Sequence, residues 1–247
     1  MKYSSITKSK TALITGASKR IGRAIALAFA DSGYNIIIHY RSSKKEAEKL
    51  QSEIIKKNVA AWTLEADLGK TEENESLIRR AFALGRGLCV LVNNASIFPQ
   101  SFALSLTLEE FNATMLVNAW SPFSLSRAFA AKAKHGAIVN ILDARVPALD
   151  SKHVAYNLSK QMLLAMTQLC AQEFAPHLTV NGVSPGLILP PPGETAAYLE
   201  KLKNMVPLCA YGKPGDIAQT VLFLAQSPFI TGEIIYVDGG RQALRKY

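Results

Sequence analysis

The sequence predicts an α/β fold, a single domain built on a doubly wound, seven-stranded parallel sheet. Three observations predict it. Seven short apolar runs are spread from one end of the chain to the other, and helix-length amphipathic segments separate them. The runs are apolar at successive positions, as in strands covered on both faces. The 247 residues, 49% hydrophobic and 19% charged, suffice for one buried core and are too apolar for a disordered chain.

The elements follow in order. Residues 11–15 form the first run, which Gly16 breaks. An amphipathic stretch over 23–31 comes next, closed by Gly33 as its C-terminal cap. The β-branched run 35–40 is the second strand, and the helical pattern 44–57 leads to a weaker third run at 61–66. A helix over 72–84 leads to the fourth run, 88–92, and the fifth, 137–142, follows Gly136. The longest helical pattern, 154–174, precedes 178–183, and 216–226 precedes 233–237. Right-handed crossovers between such strands place helices on both faces of an open sheet. Residues 1–247 contain no linker, repeat or low-complexity segment and are read as one domain. After the sixth strand, Pro190-Pro191-Pro192-Gly193 forbids regular structure. Ligands of these folds bind outside the carboxyl ends of the strands, so residues 187–205 are expected to form a lid over the site.

The formal net charge is +9, and the first 70 residues carry 13 Lys and Arg against 6 Asp and Glu. A basic excess suits nucleic acid, an acidic membrane surface or a small polyanion. Neither a recognition motif nor interleaved aromatics accompanies it, so no nucleic-acid partner is expected. No run approaches ~18 apolar residues, which excludes a transmembrane helix from the expectation, and residues 1–8 lack the apolar stretch of a secretory signal. Cys89, Cys170 and Cys209 are odd in number and far apart, neither a disulfide framework nor a zinc site. His135, His153 and His177 lack metal-ligand spacing and are read as surface residues, so no metal is expected. A soluble, cytoplasmic protein is the expectation.

Thr15-Gly16-Ala17-Ser18-Lys19-Arg20-Ile21-Gly22 joins the first strand to the first helix. Gly16 permits the tight turn and Gly22 lets the helix pack closely on the sheet. The helix start offers free N–H groups and a positive dipole end to a phosphate. This placement makes the loop a Rossmann-type dinucleotide signature, with Arg20 where a further glycine often stands. The second strand ends in His39-Tyr40-Arg41-Ser42, with no carboxylate to bind a ribose 2′-hydroxyl. A guanidinium forks well onto a phosphate, so NADPH is expected over NADH. The basic excess is then partly cofactor chemistry.

Tyr156 and Lys160 lie at i and i+4 on one helix face. A phenol with its pKa at ~10 is a poor acid at neutral pH. A cation ~4 Å away at an effective dielectric of ~20 is worth ~4 kcal/mol, enough to bring that value towards the useful range. Lys160 is therefore expected to lower the Tyr156 pKa.

With these residues in place, the chain resembles the short-chain dehydrogenase/reductase family over nearly its whole length. Ala66-Asp67-Leu68, Asn93-Asn94-Ala95, Asn118 in a long helix before the fifth strand, Pro185-Gly186 and Val237-Asp238-Gly239-Gly240 add to the loop and the Tyr156/Lys160 pair. Two departures narrow the resemblance: Asp143 stands where most members have Ser, and Arg20 where most have Gly. With His39-Tyr40 and Asn93-Asn94-Ala95-Ser96-Ile97-Phe98, they are similar to the pteridine reductases, including the dihydromonapterin reductases.

The resemblance implies cofactor contacts from Gly16, Ser18, Lys19, Arg20, Ile21 and Gly22, and from His39, Tyr40, Arg41 and Ser42 at the second strand. It implies others from Asp67, Leu68, Asn94, Ala95 and Ser96, and from Tyr156, Lys160, Pro185 and Gly186. Catalysis falls to Asp143, Tyr156 and Lys160, with Asn118 holding Lys160 through water. Arg20, Ser96, Phe98, Asp143 and Tyr156 are the expected substrate contacts, with Phe98 stacking a flat ring against the nicotinamide.

A carboxylate beside the proton donor repels charge developing on a ketone oxygen. It suits a pterin, whose amino-pyrimidine edge presents donors and whose ring nitrogen takes a proton. The expected activity is therefore NADPH-dependent reduction of a 7,8-dihydropterin such as dihydromonapterin, or of dihydrofolate. The alternatives are a carbonyl or 3-oxoacyl reductase on the same scaffold and an inactive NADP-sensing protein. The resemblance also implies a homotetramer.

Overall fold

A computed structural model describes residues 10–145, 150–191 and 193–244. Seven strands form one parallel sheet in the order β3-β2-β1-β4-β5-β6-β7. They are β1 (Thr11–Ile14), β2 (Asn35–Tyr40), β3 (Ala61–Glu65), β4 (Leu88–Asn93), β5 (Gly136–Ile141), β6 (Leu178–Pro185) and β7 (Ile234–Val237). All seven expected runs are strands.

The strand side chains alternate between two cores, which is why each run had to be apolar throughout. Ala12, Ile14, Ile36, Ile38, Val90 and Val92 pack with α1 (Arg20–Asp31), α2 (Lys44–Ile55) and α8 (Pro214–Gln226). Leu13, Ile37, Leu91 and Ile138 face the opposite way, onto α3 (Thr71–Leu84), α5 (Ser121–Ala130) and α6 (Val154–Glu173). The chain reverses its direction of travel across the sheet between β1 and β4, and the crevice at that switch point is where doubly wound sheets bind ligands.

Three elements differ from expectation. The single long helix before β5 is α4 (Leu108–Met115), a π-helical turn (Leu116–Trp120) and α5. Pro122, in the first turn of α5, has no N–H to offer the preceding turn, and the wider π turn accommodates this. A short helix, α7 (Ala196–Leu202), lies in the expected lid segment, where Leu187, Leu199 and Val206 form a small apolar cluster with Tyr198 and Leu202. Helix α1 begins at Arg20, three residues earlier than its apolar pattern. Among the described residues, no helix is long and apolar enough to cross a membrane, and no group of three His, Cys, Asp or Glu is placed to hold a metal.

Candidate active site

Parallel strands deliver their carboxyl ends to one edge of the sheet, so Thr15, Asn94, Asp143 and Gly186 come from four strands to one crevice. Gly16 turns the chain with φ at +60°, the left-handed region that glycine enters freely. A Cβ on Gly22 would lie 2.3 Å from the Gly16 carbonyl oxygen, so only glycine lets α1 start this close. The Thr15 hydroxyl accepts the N–H groups of Asn94 (2.9 Å) and Ala95 (3.0 Å), and the Asn94 side chain donates to the carbonyls of Thr15 (2.8 Å) and Gly16 (3.1 Å). Asn94 thus fastens the phosphate loop to the end of β4.

His39 is buried. Its Nδ1 accepts the Gly16 N–H at 3.1 Å, so the ring N–H is on Nε2 and donates to the Ala66 carbonyl, also 3.1 Å away. Burial lowers its pKa to about 4, which keeps it a neutral strut between loop and β3. Its side chain, expected at the cofactor, is spent on the scaffold. Tyr40 likewise turns inward and donates to Glu65 (3.2 Å), and the Leu68 side chain belongs to the core. Arg41 and Ser42 stand exposed at the end of β2, and Lys19 is exposed with Glu46 at 2.7 Å.

This cradle fits a dinucleotide phosphate. The first turn of α1 has no side-chain cap, so its N–H groups are open to an anion. Arg20 holds a left-handed φ of +55° and donates to the Pro190 carbonyl at 2.7 Å, tying the loop to the segment after β6. Pro185 ends β6 beside β7, and Gly186 follows it with its N–H on the Val237 carbonyl; the Pro185 carbonyl accepts the Ala144 N–H at 3.0 Å, which fixes the backbone next to Asp143.

The reacting end centres on Tyr156. Its hydroxyl donates to Asp143 Oδ2 at 2.8 Å. Burial and the Asp143 carboxylate, which also accepts its hydrogen bond, hold the phenol well above its ordinary pKa; Arg145 works against them. The expected lowering by Lys160 does not occur. Lys160 Nζ donates to the Ile141 carbonyl at 2.8 Å and lies 5.7 Å from the centre of the Tyr156 ring, too far to outweigh a carboxylate in contact. Burial brings Lys160 down to about 8, with Asp143 holding it up.

Asn118 sits in the π turn, fully buried. Its Oδ1 accepts from Ser96 Oγ (3.1 Å) and the Ile97 N–H (2.8 Å), and its Nδ2 donates to the Ile97 carbonyl (2.9 Å) and Ser159 Oγ (3.2 Å). These bonds occupy it without a direct contact to Lys160. Asn118 instead joins the loop after β4 to α6. Ser96 is half of that joint.

Phe98 meets Tyr156 edge-on at 4.6 Å. It is also stacked on His153 at 4.0 Å, and the Arg145 guanidinium lies 5.0 Å from its ring centre. The ring expected to stack on substrate already has an aromatic partner, and His153 is an aromatic wall of the site rather than a surface residue.

Comparison with known proteins gives the family. The family description enoyl-(acyl carrier protein) reductase matches residues 16–242. The chain belongs to the short-chain dehydrogenase/reductase family. Among its relatives is the 3-oxoacyl-[acyl-carrier-protein] reductase FabG of Staphylococcus aureus, 33% identical over 242 residues, covering 94% of this chain and 98% of that protein. The corresponding reductase of Synechocystis is 33% identical over 239 residues, covering 94% and 96%. The structure of FolM alternative dihydrofolate reductase 1 from Brucella suis, complexed with NADP, superposes with a TM-score of 0.91 at 29% identity, covering 96% of this chain and 97% of that one. A blue fluorescent protein from a metagenomic library, complexed with NADPH, gives 0.87 at 32% identity, covering 94% and 97%. The chain is an NADP-dependent oxidoreductase.

Within this short-chain reductase, the sequence reading missed Arg145, Asp150 and Ser159. Arg145 donates to Asp143 Oδ1 through its backbone N–H (2.7 Å) and Nε (3.1 Å), and to Oδ2 through Nη2 (3.1 Å). Its Nη1 reaches Asp150 Oδ2 at 3.3 Å, and His153 Nδ1 lies 2.7 Å from the same oxygen. One signal was available: His153 stands three residues before Tyr156, at the N-cap of its helix.

Proposed function

We propose that this chain is an NADPH-dependent pteridine reductase that converts a 7,8-dihydropterin, such as dihydromonapterin or dihydrofolate, to its tetrahydro form. The observation that carries the reading is the Tyr156 hydroxyl donating to the Asp143 carboxylate at 2.8 Å. A carboxylate at that position opposes the growth of negative charge on a carbonyl oxygen. It favours a substrate that presents N–H donors and accepts its proton on nitrogen. The FolM neighbours, named as alternative dihydrofolate reductases, support the same reading.

NADPH, when bound, supplies the hydride. The residues placed to hold it are Gly16, Ser18, Lys19 and Gly22 of the loop, with Arg41 and Ser42 toward its 2′-phosphate. Tyr156 keeps its proton because burial and Asp143 both favour the neutral phenol, so it enters the reaction as a loaded acid. Rotation about its C–O bond turns that proton from Asp143 toward the substrate ring nitrogen. Lys160 lies 5.7 Å from the Tyr156 ring centre, and at about 8 it can supply the replacement proton near neutral pH. Residues 187–205 act as the lid, tethered through Pro190 to Arg20. A cytoplasmic homotetramer completes the proposal, on the strength of the family resemblance.

A second reading, 3-oxoacyl reduction, is favoured by the 33% identity to FabG proteins and by the Arg145 guanidinium, which offsets the charge of Asp143. Following NADPH oxidation with dihydropterin, dihydrofolate and 3-oxoacyl thioester substrates separates the two. We expect turnover of the pterins, and Asp143→Ser is expected to lower their kcat/KM by about tenfold or more. Turnover of the thioester alone overturns the pteridine reading.

A further inference from the structure

The Asp143 carboxylate is full. An ionised carboxylate offers about four lone-pair positions, two on each oxygen. Here Oδ1 accepts the Arg145 backbone N–H and Nε, and Oδ2 accepts Arg145 Nη2 and the Tyr156 hydroxyl. No acceptor position is left for a substrate. Two of the four are taken by the Arg145 side chain, one on each oxygen, in the parallel fork that guanidinium groups make with carboxylates. That fork has the same donor pattern as the N3–H and 2-NH2 edge of a 2-amino-4-oxopyrimidine, the ring a pterin carries.

We propose that Arg145 is a specificity-determining residue, an internal stand-in for the substrate's donor edge that only a ligand with two parallel N–H groups can displace from Asp143. This deepens the pteridine reading and rests on it for the identity of the natural substrate. A displaced guanidinium has somewhere to go: Nη1 already bonds Asp150, which His153 braces from the other side. The planar group also lies 5.0 Å from the Phe98 ring centre and 5.8 Å from that of Tyr156, the space a flat heterocycle would need. A ligand that presents only an oxygen acceptor gains nothing from Asp143 and leaves Arg145 in place. The residue therefore screens substrates by donor pattern before any chemistry occurs.

The test uses the NADP-saturated enzyme and two probes, 2-aminopyrimidin-4(3H)-one, which presents two parallel N–H donors, and pyrimidin-4(3H)-one, which presents one, with affinities measured by calorimetry. Arg145→Met removes the competitor but keeps a side chain of similar length. It is expected to tighten the two-donor probe about tenfold, one charge-assisted contact no longer having to be broken, and to leave the one-donor analogue unchanged. Arg145→Gln is the second variant, should the methionine chain fail to bind NADP. A purely structural role for Arg145 predicts that both probes weaken together, and that result overturns the proposal. So does a wild-type crystal of the probe complex in which Nε and Nη2 remain on Asp143, or failure of the probe to bind either form. Wild-type turnover of dihydropterins is scored separately: its absence, with the tightening intact, removes the pteridine reading and leaves Arg145 as proposed.

Discussion

At the scale of single residues, the site is governed by what touches the Tyr156 hydroxyl. Sequence spacing paired it with Lys160, but contact decides, and the contact is Asp143 at 2.8 Å. The direction of its pKa reverses accordingly. A proton donor so held is essential to the step it serves, so Tyr156→Phe is expected to lower kcat by about 10²–10⁴, far more than it changes KM. Steady-state rates with a dihydropterin measure this, and a loss in KM alone contradicts the assignment. Spacing on one helix face suggested Tyr156 and Lys160, and the family resemblance suggested Asp143; the structure brings Tyr156 and Asp143 into contact. Arg145 was not legible in the sequence: a lone arginine after a strand reads as a solvated charge, and only the turn that places its backbone N–H and side chain on the same carboxylate reveals its partner.

Elements deliver these residues, and most were legible for one physical reason. Strands covered on both faces must be apolar at every position, which leaves continuous runs such as Ile36-Ile37-Ile38, one alternating set to each core. Helix α7 escaped because seven residues after a proline cluster carry too little periodic pattern. The π turn escaped because a change of helical pitch is not written in apolar spacing, although Pro122 marks its end. The end of β2 carries its own prediction. Arg41 stands exposed there while its neighbours His39 and Tyr40 are buried. Arg41→Ala is expected to raise the Kd for NADPH about tenfold or more, the worth of a charge-assisted contact to a phosphate, and to leave NADH nearly unchanged. Fluorescence titration with the two nucleotides reads the difference, and an equal loss for both refutes the assignment.

For the whole molecule, the buried His39 links the phosphate loop to global stability. Its pKa falls from 6.5 to about 4 on folding, so the unfolded chain binds the proton more readily in between. The stability it contributes is present above pH about 6.5 and is lost as pH falls through about 4. The loss amounts to about 3 kcal/mol over that window. Urea unfolding at a series of pH values is expected to show that slope, and His39→Gln to flatten it; an unchanged slope in the variant assigns the acid sensitivity elsewhere. The proposed homotetramer belongs to the same scale. Sedimentation velocity is expected to give a single four-chain species, and a monomer counts against it.

One backbone angle has a mechanical consequence. Arg20 sits at φ +55°, a conformation that costs a residue with a Cβ about 1 kcal/mol or more and that glycine adopts without penalty. Its side chain donates to the Pro190 carbonyl. The same short turn therefore grips the nucleotide cradle from one side and the covering segment from the other. A shift of the phosphate loop is then passed directly to the segment after β6, and a shift of that segment back to the loop.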